Sequence, residues 1–196
     1  MKSTDIILIL VLGSIWGFFE IIGLPIYVVC AIAILILTTG RKLVNIPGTS
    51  ILIGLVVCFY KTYSDSFFIC QWAGIMSLAG SFDLLTSLVF KTIWEKPLNT
   101  ALIGVLTNII GMIGFLFVAF AVFQEPNWIA GGLDKILNYT LVTVIPATLL
   151  SGLFTANIGL FIGTKIKELN SLSIRKFIPG FYLTTTLLLW IIASIR

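Results

Sequence analysis

Histidine is missing from this chain altogether, and charged residues make up only 10% of it. Without imidazole it lacks the side chain most used for acid–base chemistry near neutral pH and for divalent metal capture. Neither a Gly-x-Ser-x-Gly elbow nor a His-Glu-x-x-His pair is present, which removes the usual signatures of serine hydrolases and zinc proteases. Cysteine is sparse too. Cys30, Cys58 and Cys70 are scattered through apolar stretches with no Cys-x-x-Cys spacing, a pattern that fits buried small hydrophobes rather than a disulfide framework or a zinc site. No cofactor is implied. The net charge of +4 is spread along the chain and forms no continuous basic stripe on a soluble face, so nucleic acid is not expected as a partner.

What the chain has in excess is hydrocarbon. Apolar residues reach 59% and the mean hydropathy is +1.13, far outside soluble composition. The expected fold is an all-α, polytopic membrane helix bundle, a single integral membrane domain over residues 1–196 in a cell membrane of the prokaryotic plasma-membrane type. Apolar runs fall at 6–23, 25–40, 50–64, 66–90, 98–123, 139–164 and 178–195. This gives six to seven transmembrane helices, because runs two and three are short for a crossing that needs about 20 residues, and one of them could be tilted, broken or re-entrant. The 196 residues leave no room beyond these spans for a nucleotide-binding module, so the chain is expected to carry no energy source of its own. The opening Met-Lys-Ser-Thr-Asp and the run behind it resemble a secretory signal, but no small-x-small cleavage site follows, and a retained span is expected.

Turn residues punctuate the runs at Gly23-Leu-Pro25, Gly40-Arg-Lys, Asn45-Ile-Pro-Gly48, Ser64-Asp-Ser66 and Glu95-Lys-Pro97, with a longer polar connection from Gln124 to Asn138. A cytoplasmic N-terminus puts Lys2, Arg41, Lys42, Lys91, Lys96, Lys165, Lys167, Arg175 and Lys176 inside. Lys61, Lys135 and Arg196 are then the only three of the twelve basic residues left for outside or membrane positions. Positive charge concentrates on the cytoplasmic side of membrane proteins, so that orientation is expected.

Two ionisable residues fall inside apolar runs. Glu20 and Lys61 would each be costly in hydrocarbon, about 2.5–3.5 kcal/mol on insertion scales, and such residues face a bundle interior, pair, or mark a ligand or a pathway. The helical rise of about 1.5 Å per residue puts both in the outer half of the membrane. Tyr60 lies beside Lys61, Gln71 and Trp72 open the fourth span at the same depth, and Asn108 adds a polar group near mid-depth. Glu125, Asn127, Trp128 and Asp134 could cover the site from the outer connection. Glu20, Lys61, Tyr60, Gln71, Trp72 and Asn108 are therefore the candidate binding residues for a small organic molecule, an apolar and aromatic pocket with a few placed polar groups. Glu20 would meet an amine or cationic group, Lys61 a carboxylate, phosphate or carbonyl, and Tyr60 and Trp72 a planar ring. Each has a plainer use as well. Glu20 and Lys61 could lock two spans together, Lys61 could snorkel, the rings could form an interfacial belt, and Gln71 and Asn108 could be interhelical hydrogen-bond partners. Asp83 and Asn157 belong to a deeper layer, Asp83 as a candidate interfacial residue near Lys91.

Gly13-x-x-x-Gly17 and Gly159-x-x-x-Gly163 place glycines one turn apart on single faces, where another backbone can approach, from within the chain or from a separate subunit. Together, Gly13-Ser-Ile-Trp-Gly-Phe-Phe-Glu20, Gly40-Arg-Lys-Leu-Val, Pro47-Gly-Thr-Ser-Ile-Leu-Ile-Gly-Leu and Tyr60-Lys61 resemble the substrate-capture (S) components of energy-coupling factor (ECF) transporters. The likeness covers roughly residues 8–90 in pattern and the remainder in span layout. It implies a bundle, usually of six helices, that binds a vitamin or related micronutrient in an outward-facing pocket. Such a bundle topples against a transmembrane coupling subunit driven by two cytoplasmic ATPases. The family's small-residue face on the first helix, here Gly13 and Gly17, is where the coupling subunit would meet it. A seventh run departs from the family's six helices, and no substrate residue is carried over from it. The missing histidine argues against its nickel and cobalt branch.

Rival classes differ in what they need. An intramembrane aspartyl enzyme requires two carboxylates at one depth, whereas Glu20 and Asp83 fall at opposite ends, so no enzymatic activity is expected. An accessory or assembly subunit would use its charges only to hold helices together. A self-contained channel or secondary carrier stays open as an alternative, although no clear inverted repeat is visible.

Overall fold

The computed structural model describes residues 1–63 and 69–171, together with 184, 186, 188, 190 and 191. Helix α1 (Ser3–Ile22) ends where Gly23 takes a left-handed conformation, φ 81°, and α2 (Ile26–Leu43) starts directly after Pro25. Helix α3 (Thr49–Lys61) follows the Asn45–Gly48 turn. Helix α4 (Ile69–Leu84) runs on into a π-helical turn, Leu85–Val89, and α5 (Pro97–Phe117) into another, Val118–Val122. Helices α6 (Pro126–Tyr139), α7 (Ile145–Leu150) and α8 (Ala156–Ser171) are joined by the π-helical turns Thr140–Val144 and Ser151–Thr155. No strand occurs among the described residues.

Among the described residues, five helical stretches are long and apolar enough to cross a membrane: Ser3–Ile22, Ile26–Leu43, Ile69–Val89, Pro97–Val122 and Pro126–Glu168. The outer surface agrees with this. Leu88, Leu98, Leu133 and Phe117 are between 66% and 77% exposed, an amount of hydrocarbon at the surface that suits lipid contact. Helix α3 is the exception, with 13 residues and hence a length of about 20 Å.

The core forms where α3 packs between α1 and α4, α4 on α5, and α2 on α8. Trp16, Ile34, Leu37, Ile53, Val57, Phe82 and Ile103 are fully buried there. The α1–α3 seam is close because α1 carries glycine at the contact. A Cβ added at Gly13 would lie 2.6 Å from the Val56 Cβ, and one at Gly17 would lie 2.5 Å from the Tyr60 Cβ. The small-residue face expected to meet a coupling subunit is thus occupied by α3 of the same chain. Gly159 and Gly163 play the same part on α8, against the Leu35 carbonyl and the Lys42 Cβ of α2.

Two expected breaks are absent. Helix α2 continues through Gly40-Arg-Lys to Leu43, because Arg41 is not a loop residue: it is 4% exposed and faces Asp83 across 3.6 Å. The polar connection from Gln124 to Asn138 is largely helical, as α6, with its one interior departure from helical geometry at Gly132 (φ 50°, ψ −143°). The Ser64-Asp-Ser66 break lies outside the described residues. So does the seventh run, except for residues 184, 186, 188, 190 and 191, which are helical.

Candidate ligand cavity

Glu20 lies in the last turn of α1, and Trp16 one turn earlier on the same face donates its indole N–H to Glu20 Oε1 at 3.2 Å. Lys61 is the final residue of α3, where an ammonium opposes the negative end of the helix dipole. Because the Gly13/Gly17 seam holds α3 against α1, the lysine reaches across it. Its Nζ donates to the Glu20 main-chain carbonyl at 3.0 Å and lies 3.5 Å from Glu20 Oε2. The two charges therefore neutralise each other at the wall of a cavity of about 300 Å³.

Of the candidate residues, Glu20, Lys61, Gln71 and Asn108 all line that cavity, from α1, α3, α4 and α5. Tyr60 and Trp72 do not line it. Tyr60 is wholly buried and points the other way, over Gly17 and onto Trp190, ring centroids 4.8 Å apart and edge to face. Trp72 packs against the apolar core. The cavity's rings come from elsewhere: Trp16, Phe115, Trp128 and Tyr139. Trp16 could have been found from its position four residues before Glu20. Phe115 and Tyr139 carry no local signal, since only the folding of α5 and α6 over the site brings them in.

Helix α6 roofs this aromatic wall. Trp128 packs edge to face on Phe115 at 5.2 Å and on Tyr139 at 5.3 Å, while Lys135 Nζ sits 5.0 Å from the Trp128 ring and donates to the Asn127 carbonyl at 2.9 Å. At mid-depth, Asn108 Nδ2 donates both to the Gly104 carbonyl and to Ser151 Oγ, each at 2.9 Å. Cys30, Met112 and Thr143 also face the cavity. Such a chamber can hold a flat organic body between rings and present it with a neutralised acid–ammonium pair and an amide.

A second polar cluster lies apart from the cavity. Arg41 Nη2 donates to Ser87 Oγ at 3.0 Å, Ser87 Oγ donates to Asp83 Oδ1 at 3.2 Å, and Asp83 Oδ2 accepts the Gly48 main-chain N–H at 2.5 Å. Asp83, expected as an interfacial residue beside Lys91, is instead 5% exposed and pins the α2–α3 turn to α4. None of these residues lines the cavity.

Fold and cavity together describe an all-helical bundle, its long apolar helices compatible with a multi-pass membrane protein, enclosing a chamber with one acid–ammonium pair. No protein-family profile, characterised protein or solved structure matches the chain.

Proposed function

We propose that this chain is a membrane capture subunit, binding a vitamin-like small organic molecule in the Glu20–Lys61 cavity and passing it to partners that supply the energy, as in an ECF-type importer. The observation that carries the reading is the convergence of Glu20, Lys61, Gln71 and Asn108 on one aromatic-walled cavity. Polar groups placed on an otherwise apolar chamber are what small-molecule sites are made of. In this reading the N-terminus is cytoplasmic, the six or seven helices cross the bilayer, and the cavity opens toward the outside beneath α6. A transmembrane coupling subunit and cytoplasmic ATPases complete the importer. Since α3 covers Gly13 and Gly17, the coupling subunit meets a different face of the bundle.

A second reading has its own support. Lys61 already has both the Glu20 carbonyl and carboxylate as partners, so the pair is satisfied without a ligand and could serve only to lock α1 to α3 in an accessory subunit. Native mass spectrometry of the purified protein separates the two, since a retained organic molecule is expected for capture. Glu20→Gln should then weaken retention at least about tenfold, the worth of a charge-assisted hydrogen bond, without unfolding the protein. Retention that survives both Glu20→Gln and Lys61→Met rules out this site. Co-purified ATPases and a coupling protein support import; a large complex lacking them supports the accessory role.

A further inference from the structure

We propose that the molecule bound in this cavity carries a hydrogen-bond donor, an amine, amide N–H or hydroxyl on a planar body, and that Asn108 reads it. The inference rests on the capture reading and narrows its substrate class. Asn108 is 5% exposed and lines the cavity. Its Nδ2 spends both hydrogens inside the protein, on the Gly104 carbonyl and on Ser151 Oγ, at 2.9 Å each. A main-chain carbonyl can only accept, so the Gly104 contact fixes which end of the amide is nitrogen. What the side chain has left is Oδ1, which takes part in no hydrogen bond among the described residues, on a side chain that lines the cavity.

The lock is built into the packing. Ser151 is wholly buried at the start of the π-helical turn Ser151–Thr155. A Cβ on Gly104 would stand 3.0 Å from the Ser151 carbonyl, so the missing side chain on α5 lets this turn approach and hand its hydroxyl to Asn108. Asn108 is thereby turned from a residue that can donate or accept into an acceptor alone.

The Glu20 side of the lining has the same polarity. Glu20 Oε1 accepts from Trp16 and Oε2 faces Lys61, but a carboxylate has about four lone-pair positions and so keeps capacity to accept. Lys61, the strongest donor present, is directed at Glu20 twice over. A ligand that offers only acceptors would leave Asn108 Oδ1 unpaired in a desolvated chamber, whereas one with an N–H or O–H satisfies it. The discrimination expected from one such unpaired group is about tenfold to a hundredfold in affinity.

The test uses two water-soluble planar probes of nearly equal shape, 2-aminopyrimidine, which has donors, and 2-methylpyrimidine, which has none. Binding of each to the purified full chain in lipid nanodiscs is measured by calorimetry. The amino probe should bind the wild type at least about tenfold more tightly. Asn108→Leu should remove most of the preference, and Ser151→Ala, which takes away one of the two acceptors that hold the amide with little change of volume, should reduce it severalfold. Equal binding of the two probes to the wild type overturns the inference while leaving capture standing. A preference that survives both Asn108→Leu and Ser151→Ala overturns the assignment to Asn108. Failure of both probes to bind, in a protein that also retains no organic molecule, overturns the capture reading and this one with it.

Discussion

Replacing Asp83 with leucine strands Arg41, and the arrangement of partners ranks the consequences. Arg41 and Asp83 are 4% and 5% exposed, 3.6 Å apart. Removing one member of a buried pair costs about 3–5 kcal/mol, because the surviving charge has no water to turn to. Asp83 also accepts the Gly48 N–H and the Ser87 hydroxyl, and an orphaned buried donor costs about 1–3 kcal/mol more. Asp83→Leu should therefore be the worst change, at about 4–8 kcal/mol. Arg41→Met, which leaves the carboxylate with two hydrogen-bond donors, should cost about 2–4 kcal/mol. The double variant removes both charges and keeps only the orphaned-donor cost, about 1–3 kcal/mol. For a chain of this length each kcal/mol moves the melting temperature by about 2–4 °C, so thermal unfolding in mild detergent followed by circular dichroism resolves the order. Should the double variant melt no higher than Asp83→Leu, the charges do not compensate each other and the argument fails.

Three further outcomes are expected. Gly17→Leu should lower stability by about 1–3 kcal/mol through overpacking, since its Cβ would stand 2.5 Å from that of Tyr60; adding Tyr60→Ala should recover part of the melting temperature, and no recovery would place the strain elsewhere. Trp128→Ala removes the anchor of α6, a helix with no buried residue, so amide exchange over residues 126–131 should quicken by mass spectrometry while global melting moves by only about 0.5–1.5 kcal/mol per lost ring pair. Cys30 and Cys70 line the cavity, whereas Cys58 is 3% exposed in the core; a small water-soluble maleimide should label Cys30 before Cys58, read by peptide mass, and the reverse order would mean that water does not reach the cavity.

Spacing and chemistry carried the reading of this chain as far as helices and depths, and failed where a contact depends on another element. Apolar run lengths located α1, α4 and α5 to within a few residues, because a helix needs only its own hydrogen bonds. Counting residues from the helix starts matches Glu20 and Lys61 in depth, and the fold places them 3.5 Å apart. Rotation about the helix axis is a different matter. Tyr60 adjoins Lys61 in sequence, yet about 100° of helical turn separates adjacent residues, which sends one to the cavity and the other to Trp190. In sequence Arg41 reads as a loop cation for the same reason that it ends a run: its charge. Only Asp83, forty-two positions along the chain, makes a helical and buried Arg41 affordable.

Helix α3 explains why, among the described residues, two ion pairs lie inside the bundle, Arg41–Asp83 and Lys61–Glu20. About 20 Å long, it falls short of a hydrocarbon core of about 30 Å, so in a bilayer at least one of its ends lies where water cannot satisfy it. Each end is met by a charge from a neighbour or of its own. At the start, Asp83 accepts the Gly48 N–H at 2.5 Å, a carboxylate against the positive end of the helix dipole; at the finish, Lys61 supplies an ammonium to the negative end and bonds the Glu20 carbonyl at 3.0 Å. Both pairs thus have a structural use, and structure alone would make them equivalent. They differ in that only the second lines the cavity. Asp83→Asn, which keeps an acceptor for Gly48, should therefore lower the melting temperature and leave retention of the bound molecule intact, while Glu20→Gln, which leaves Lys61 its bond to the Glu20 carbonyl, should weaken retention and lower the melting temperature less. Measuring melting and retention on both variants tests this separation. If Glu20→Gln destabilises as much as Asp83→Asn and changes retention no more, the two pairs are one kind of helix clamp, and the cavity's acid has no further part.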